Sequence, residues 1–207
     1  MGGGVVGRLP LEIREAHPDD ARELIELWSL CVAEGLSAET DPLSVGWVVP
    51  TEDESRAALA DISRRTSQRL CVAVSGEQIV GVMKADLAAA TPLHLRSVVV
   101  VSELHVHPRH RRRGVAWSLM SIAADWADQV GSAVVYAWAP APSRDAHRFL
   151  TRIGFGHFAT VRAARVRVLQ ARLAGRSASG RGTGRLIAVR RSLRRTTEEA
   201  AAAGAAD

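Results

Sequence analysis

The chain of 207 residues has one lysine (Lys84), two cysteines (Cys31 and Cys71) and one tyrosine (Tyr136). Two cysteines are too few for a disulfide scaffold and lack metal-ligand spacing, so we expect free thiols and no metal site. No uncharged apolar run approaches the roughly 20 residues of a membrane span. The N-terminus also lacks the apolar core of a signal peptide. These absences predict a soluble, cytoplasmic protein without a membrane partner.

The net charge of +5 is unevenly placed along the chain. From Gly156 to Asp207 there are eleven arginines and three carboxylates, whereas residues 1–155 hold sixteen basic and nineteen acidic groups. A basic tail on a mildly acidic body does not by itself indicate nucleic-acid binding. Three interpretations of the tail stay open: a last helix or strand that completes the sheet or contacts a second copy in a homodimer, an arginine contact with nucleic acid, and a disordered extension.

Hydrophobic periodicity predicts an α/β domain over 11–170, between a flexible N-terminus (1–10) and an Arg-rich C-terminal extension (171–207). Strands are predicted over 11–16, 69–75, 79–88, 97–106, 132–139 and about 155–166. Helices are predicted over about 18–34, 51–67, 112–129 and 142–155. Because strands follow one another directly before and between helices, we expect a mixed sheet covered by helices.

The densest local signal is the run HPRHRRRGVA (107–116), which lies between a β-branched strand and an amphipathic helix. The first amides of a helix lack intrahelical partners, and the helix dipole favours an anion there. Gly114 and Ala116 leave the backbone uncovered, and the arginines at 109 and 111–113 add positive charge. The run predicts a diphosphate cradle, with an arginine cluster on an exposed turn as the alternative.

The same residues resemble the acyl-CoA-binding motif of the GNAT N-acetyltransferases. That motif is Arg or Gln, two variable residues, Gly, one variable residue, then Gly or Ala, after an apolar-x-Val-x-Pro strand end. The positions in register are Leu104, Val106, Pro108, Arg111, Gly114 and Ala116. A later helix of the family is matched by Ala146, Phe149, Gly154 and Phe155. The resemblance covers about 11–165 and implies the GNAT fold: a mixed, mostly antiparallel sheet, splayed at a central bulge, with helices on both faces.

The resemblance also implies an N-acetyltransferase that uses acetyl-CoA as its cosubstrate. The pantetheine arm would pair with the backbone at Leu104, His105 and Val106, and Ser143 would contact it where the family usually has Asn. The diphosphate would lie on the amides of Arg111, Arg112, Arg113, Gly114, Val115 and Ala116. An amine would attack the thioester directly while a backbone N–H at the bulge polarises the carbonyl.

The catalytic groups are less well defined by the sequence. Leu150 occupies the position of the family's usual thiolate-protonating Tyr, and Tyr136 is a replacement candidate or a packing residue. Glu103 is the only carboxylate in 97–106. It is a candidate base or amine-binding group, with a structural hydrogen bond as the alternative. His105 and His107 are expected at the surface or in packing.

The family's acceptor pocket is formed by the first two helices and their loop. That region holds an indole, Trp47, and six carboxylates: Glu34, Glu39, Asp41, Glu52, Asp53 and Glu54. This composition suits a cationic small-molecule or peptide amine, and a solvated acidic surface around a buried Trp47 is the alternative. Two other functions stay open: a non-catalytic acyl-CoA-binding regulatory module, because of Leu150, and a nucleic-acid-associated acetyltransferase, because of the tail.

Overall fold

The structure, a computed structural model, describes residues 10–35, 48–141, 143–160, 162 and 164–178. The strands are β1 (Leu11–Glu15), β2 (Gln68–Ser75), β3 (Gln78–Thr91), β4 (His94–Val106) and β5 (Val135–Ala137). The α-helices are α1 (Ala21–Gly35), α2 (Glu52–Ser63), α3 (Val115–Gln129), α4 (Arg144–Arg152) and α5 (Val166–Ala178). Most elements therefore occur where periodicity predicts them.

The described strands form one sheet in the order β1-β2-β3-β4-β5. The first three pairings are antiparallel, and the pairing of β4 with β5 is parallel. A parallel pair needs a crossover connection, which α3 supplies between β4 and β5. The predicted mixed, mostly antiparallel sheet is confirmed.

Each face of the sheet packs against its own helices, because strand side chains alternate between the faces. In β2, Cys71 and Ala73 belong to a core with α3, whereas Leu70 and Val72 belong to a second core with α1 and α2. Leu119 of α3 is fully buried, and burial of a leucine side chain contributes about 1.5–3 kcal/mol. The predicted helices on both faces are confirmed.

A β-bulge in β4 changes the face to which its side chains point. The register places one extra residue, Ser102, opposite the Lys84–Ala85 step of β3. The residues of β4 that pack against the α3 core are spaced by two on either side of the bulge and by three across it: Val99, Val101, Leu104 and Val106. Ser102 and Glu103 therefore both point to the α1 and α2 face, although they are consecutive.

The end of the sheet differs from the sequence prediction. β5 is shorter than the predicted 132–139, and the described residues of 155–166 contain no strand. The last predicted strand is therefore wrong over those residues, and α5 begins at Val166 instead. The described residues of 156–174 are exposed, so this stretch has no buried face that would favour a strand.

The chain separates into two compact units, Met1–Phe158 and Ala159–Asp207. The first contains the sheet with α1 to α4, and the second contains α5, whose exposed apolar residues are Val166, Val168, Leu169 and Leu173. The domain limits 1–10, 11–170 and 171–207 stay predictions. Residues 1–9 of the N-terminus and 179–207 of the tail lie outside the described residues. Among the described helices, none is long and apolar enough to cross a membrane.

Candidate functional site

β4 leads into the N-terminus of α3 through a tight basic loop. Pro108–His110 form a short 3-10 helix, Arg112 has a φ of 60°, and Gly114, the N-cap of α3, has a φ of 90°. The first hydrogen bond within α3 runs from the Ser118 amide to the Gly114 carbonyl, at 2.9 Å. The amides of residues 115–117 therefore have no acceptor within the helix. This end of α3 can hold an anion.

The loop side chains surround the helix end with positive charge. Four exposed arginines contribute it: Arg109, Arg111, Arg112 and Arg113. The Arg111 Nε also donates a hydrogen bond to the Val106 carbonyl, at 3.4 Å. Burial, with the nearby Arg113 and His107, lowers the pKa of His110. The positive charge at neutral pH thus comes from the guanidinium groups and not from His110.

Two glycines shape the same region. A Cβ added to Gly114 would meet no atom within 4 Å, so the space in front of the N-cap is open. A Cβ added to Gly81 of β3 would lie 2.6 Å from Cγ1 of Val115 and 3.3 Å from the His105 carbonyl oxygen. Gly81 therefore lets the first turn of α3 approach β3 closely. Gly81 was not predicted as a site residue, although a glycine within a strand pattern indicates such an approach.

β4 and β5 separate beyond the bulge. The Trp138 amide donates to the Val101 carbonyl at 3.0 Å, and the described pairing with β5 covers only Val99–Val101. Residues 103–106 of β4 stay paired with β3. On the β5 side no described strand pairs with these residues, and we call this unpaired edge of β4, which leads along the chain to the N-terminus of α3, the slot. The predicted bulge and splay of the sheet are confirmed.

Glu103 and His105 form a pair on the α1 and α2 face of β4. Oε2 of Glu103 lies 2.8 Å from Nε2 of His105, and their side chains are 40% and 20% exposed, respectively. The imidazole lies against Trp28 of α1, with 4.7 Å between ring centroids. His105 is therefore held by a carboxylate and an indole together.

His105 is protonated at neutral pH. Burial lowers the pKa of His105, but hydrogen bonds with Cys31 and Glu103 and the charge of Glu103 outweigh burial and raise it to about 9. Cys31 of α1 lies nearby, since its Sγ is 3.7 Å from the Val106 carbonyl oxygen. As an imidazolium, His105 cannot accept a further proton.

A second polar cluster lies on the same face beside the bulge. Asp86 of β3 accepts hydrogen bonds from Lys84 Nζ at 2.6 Å, Gln68 Nε2 at 3.0 Å and Ser102 Oγ at 3.1 Å. The side chains of Lys84 and Asp86 are each 25% exposed. Asp86 was not predicted as a site residue. Its only signal was a pair of charges two residues apart in an apolar strand, and its contact with Ser102 depends on the bulge.

Tyr136 lies on the same face of the sheet as Glu103. Val135 and Ala137 pack against the α3 core, so Tyr136 between them points to the opposite side. Its ring lies 5.0 Å from that of Phe158, centroid to centroid. The structure thus brings both predicted catalytic side chains to one face of the two strands that separate.

The two departures from the family motif lie on α4. Leu150 is buried and has no polar side-chain atom. Ser143 is the N-cap of α4, and its Oγ accepts a hydrogen bond from the Ala146 amide at 3.4 Å. A hydroxyl that accepts in this way keeps its own hydrogen for donation.

The acidic residues expected around the acceptor are described only in part. Glu39, Asp41, Trp47 and the side chain of Glu34 lie outside the described part of the chain. Exposed carboxylates fill the first turn of α2, where they complement the helix dipole: Glu52, Asp53 and Glu54. Glu52 also pairs with Arg56 at 2.8 Å.

Solved structures share this fold. A transcriptional regulator from Bacillus halodurans C-125 is 20% identical with a TM-score of 0.61, covering 75% of this chain and 99% of its own. The aminoglycoside N-acetyltransferase AAC(6')-Iy, solved with CoA, is 17% identical with a TM-score of 0.61, covering 79% and 99%. A ribosomal-protein-alanine N-acetyltransferase from Brucella melitensis biovar Abortus 2308 is 17% identical with a TM-score of 0.56, covering 75% and 99%. At these identities the similarity shows the fold.

The family is shown by the sequence itself. A comparison with curated proteins finds no match. The model of the Acetyltransferase (GNAT) family, however, matches residues 33–155, which is more than half of the chain. This match covers β4, the basic loop and α3, where the slot and the anion-holding helix end lie in series. The protein therefore belongs to the GNAT acetyltransferase family and is an acyltransferase.

Proposed function

We propose that the protein transfers an acetyl group from acetyl-CoA to an amine, which attacks the thioester directly. The observation that carries this proposal is that the unpaired edge of β4 at residues 104–106 is followed along the chain by the open N-terminus of α3. An extended thioester arm needs backbone groups that are not used by a neighbouring strand, and a diphosphate needs converging amides. The chain presents these two features one after the other.

The residues at both ends of this path suit acetyl-CoA. The diphosphate would accept hydrogen bonds from the amides of 111–116, including Val115 and Ala116, beside the charges of Arg111, Arg112 and Arg113. Gly114 leaves it room to approach, since no atom lies within 4 Å of an added Cβ. The pantetheine arm would pair with the backbone at Leu104, His105 and Val106, and the Ser143 hydroxyl would donate to it.

Attack on the thioester needs polarisation of its carbonyl and a well-oriented amine. A backbone N–H at the bulge would donate to the carbonyl oxygen as negative charge develops there, a type of interaction worth 10²–10³-fold in rate when one donor is removed. Holding the amine near the carbon would supply much of the remaining rate by orientation.

Glu103 is the residue that we propose takes the amine proton. It is 40% exposed on the α1 and α2 face of β4, and one of its oxygens is held by His105. Because the pKa of His105 is raised to about 9, the imidazolium keeps its proton at neutral pH and orients Glu103. A positioned general base contributes roughly 10²–10⁴-fold.

The departing thiolate needs a different proton donor from the usual one, because Leu150 is apolar. Tyr136 is the proposed donor, because it lies on the same face as Glu103 and on β5, the strand that pairs with β4 just before the bulge. The acceptor is proposed to be a small-molecule or peptide amine. The names of two proteins of this fold, an aminoglycoside and a ribosomal-protein-alanine N-acetyltransferase, support that class.

The test is thiol release from acetyl-CoA with a panel of amines, for wild type, Glu103→Gln and Glu12→Gln. Glu12 is an exposed carboxylate on β1 and serves as the matched control. We expect amine-dependent release, at least tenfold slower for Glu103→Gln and unchanged for Glu12→Gln. Acetyl-CoA binding without release for any amine would instead indicate a CoA-binding module, and equal rates for both variants would remove Glu103 from catalysis.

A further inference from the structure

The bulge of β4 leaves one residue without a partner in the strand ladder, and that residue needs another contact to hold one conformation. Ser102 is the extra residue, and its Oγ donates to Oδ2 of Asp86 at 3.1 Å. Asp86 lies opposite Val100 in the pairing of β3 with β4, so this hydrogen bond connects β3 to the bulge two residues further along β4.

Asp86 is itself held in place from two strands. Lys84 Nζ lies 2.6 Å from both of its oxygens, and Gln68 Nε2 of β2 donates to Oδ1 at 3.0 Å. With 25% of its side chain exposed, Asp86 is shielded from much of the solvent that weakens surface ion pairs. The Ser102 hydroxyl is therefore tied, through one carboxylate, to β2 and β3.

This contact matters because the bulge sets the face of every residue that follows it. A shift of one residue in pairing moves a strand's side chains to the opposite face. If β4 were paired regularly with β3 and had no bulge, Glu103 would point to the α3 core, and Leu104 to the face that holds Trp28. The position of Glu103 thus depends on the same feature that aims the backbone N–H of the bulge.

We propose that Asp86 is a positioning residue for the transfer reaction: through Ser102 it holds the bulge that aims the carbonyl-polarising N–H and Glu103. The inference rests on the proposed function and deepens it. Asp86 touches neither acetyl-CoA nor the amine in this mechanism. It is a residue of the catalytic architecture and not a catalytic residue.

The first test compares Ser102→Ala, Ser102→Thr and Ser121→Ala. Ser121 is an exposed serine whose hydroxyl donates to the Ser118 carbonyl at 2.8 Å, so its variant controls for loss of a hydroxyl. Since a displacement of about 1 Å can cost 10²-fold, we expect a loss of roughly 10- to 100-fold in kcat for Ser102→Ala. KM for acetyl-CoA should stay within about twofold, Ser102→Thr should restore most of kcat, and Ser121→Ala should match wild type.

The second test is a double-mutant cycle with Asp86→Ala. If Asp86 acts through Ser102, the double variant should be no slower than Asp86→Ala alone. A double variant whose loss in kcat equals the product of the two single losses would contradict the proposal. An unchanged kcat for Ser102→Ala, or a failure of Ser102→Thr to restore kcat, would contradict it as well. If Asp86→Ala does not fold, the comparison of Ser102→Ala with Ser102→Thr still tests the proposal.

A readout without turnover separates this proposal from the proposed function. Amide hydrogen exchange of residues 101–104 should be faster in Ser102→Ala than in wild type and normal in Ser121→Ala. Equal exchange rates in Ser102→Ala and wild type would contradict the inference that Asp86 holds the bulge through Ser102. If wild type binds no acetyl-CoA by calorimetry, the proposed function fails, while the exchange comparison still tests the contact.

Discussion

The close approach of α3 to β3 gives a quantitative prediction at Gly81. In Gly81→Ala the new Cβ would lie 2.6 Å from Cγ1 of Val115, 3.2 Å from Cδ1 of Leu119 and 3.3 Å from the His105 carbonyl oxygen. Val115 cannot rotate away, because a β-branched side chain in a helix has one strongly preferred rotamer. Overpacking of this kind costs about 1–3 kcal/mol, whereas alanine recovers only about 0.5–1 kcal/mol of strand stability relative to glycine.

We therefore expect Gly81→Ala to lower the free energy of unfolding by about 0.5–2 kcal/mol, measured by urea denaturation, and Tm by roughly 2–4 °C per kcal/mol. Acetyl-CoA binding should weaken as well, since Val115 begins α3. Val115→Ala removes the clashing atom, so it should cost less in the Gly81→Ala background than in wild type. Unchanged or increased stability of Gly81→Ala would refute the reasoning.

The remaining predictions concern charged groups. The pKa of His105 is raised to about 9 in the folded protein from 6.5. The stabilisation of the fold by the protonated imidazole is therefore complete below pH 6.5 and is lost as pH rises through 9. The difference in unfolding free energy between wild type and His105→Gln should shrink between about pH 6 and pH 10. Glu103→Gln should lower the pKa of His105 observed by NMR, and an unchanged pKa would contradict the interaction of Glu103 with His105. A hydrogen bond from Arg14 lowers the pKa of Asp20, so the stabilisation by Asp20 is present above its ordinary 3.8 and lost as pH falls through the lower folded value. Asp20→Ala should cost about 1.5–3 kcal/mol at neutral pH and make unfolding less acid-sensitive, which denaturation at two pH values measures.

The strand, loop and helix around residues 104–116 could be predicted from local sequence alone. A β-branched run, a glycine at the N-cap and an apolar helical face are each visible within a few residues. Their order along the chain is also their order in space, so the anion-holding helix end follows directly from the pattern. The division into two cores could also be predicted locally, because successive side chains of a strand point to opposite faces of the sheet.

The family resemblance implies a bulge in this strand, but the local pattern does not show which residue is the extra one. The run SVVVVSELHV predicts a strand buried on both faces, and the extra residue becomes evident only when β4 is paired with β3. Asp86 was missed for the same reason, since it meets Ser102 through the register and not through sequence proximity. Over the described residues of 155–166 the predicted strand is wrong, because β-branched residues favour a strand only where a face can be buried.

The most direct test of the central claim, that the N-terminus of α3 holds the diphosphate, is calorimetric titration of acetyl-CoA into Gly114→Glu and Gly131→Glu. Both glycines have positive φ, 90° and 67°, and no atom within 4 Å of an added Cβ. The two variants therefore carry the same added charge and a similar backbone strain of about 1–3 kcal/mol. We predict that Gly131→Glu binds within about twofold of wild type and that Gly114→Glu loses at least ~100-fold in affinity through repulsion and obstruction at the helix end. Wild-type affinity in Gly114→Glu would contradict the account.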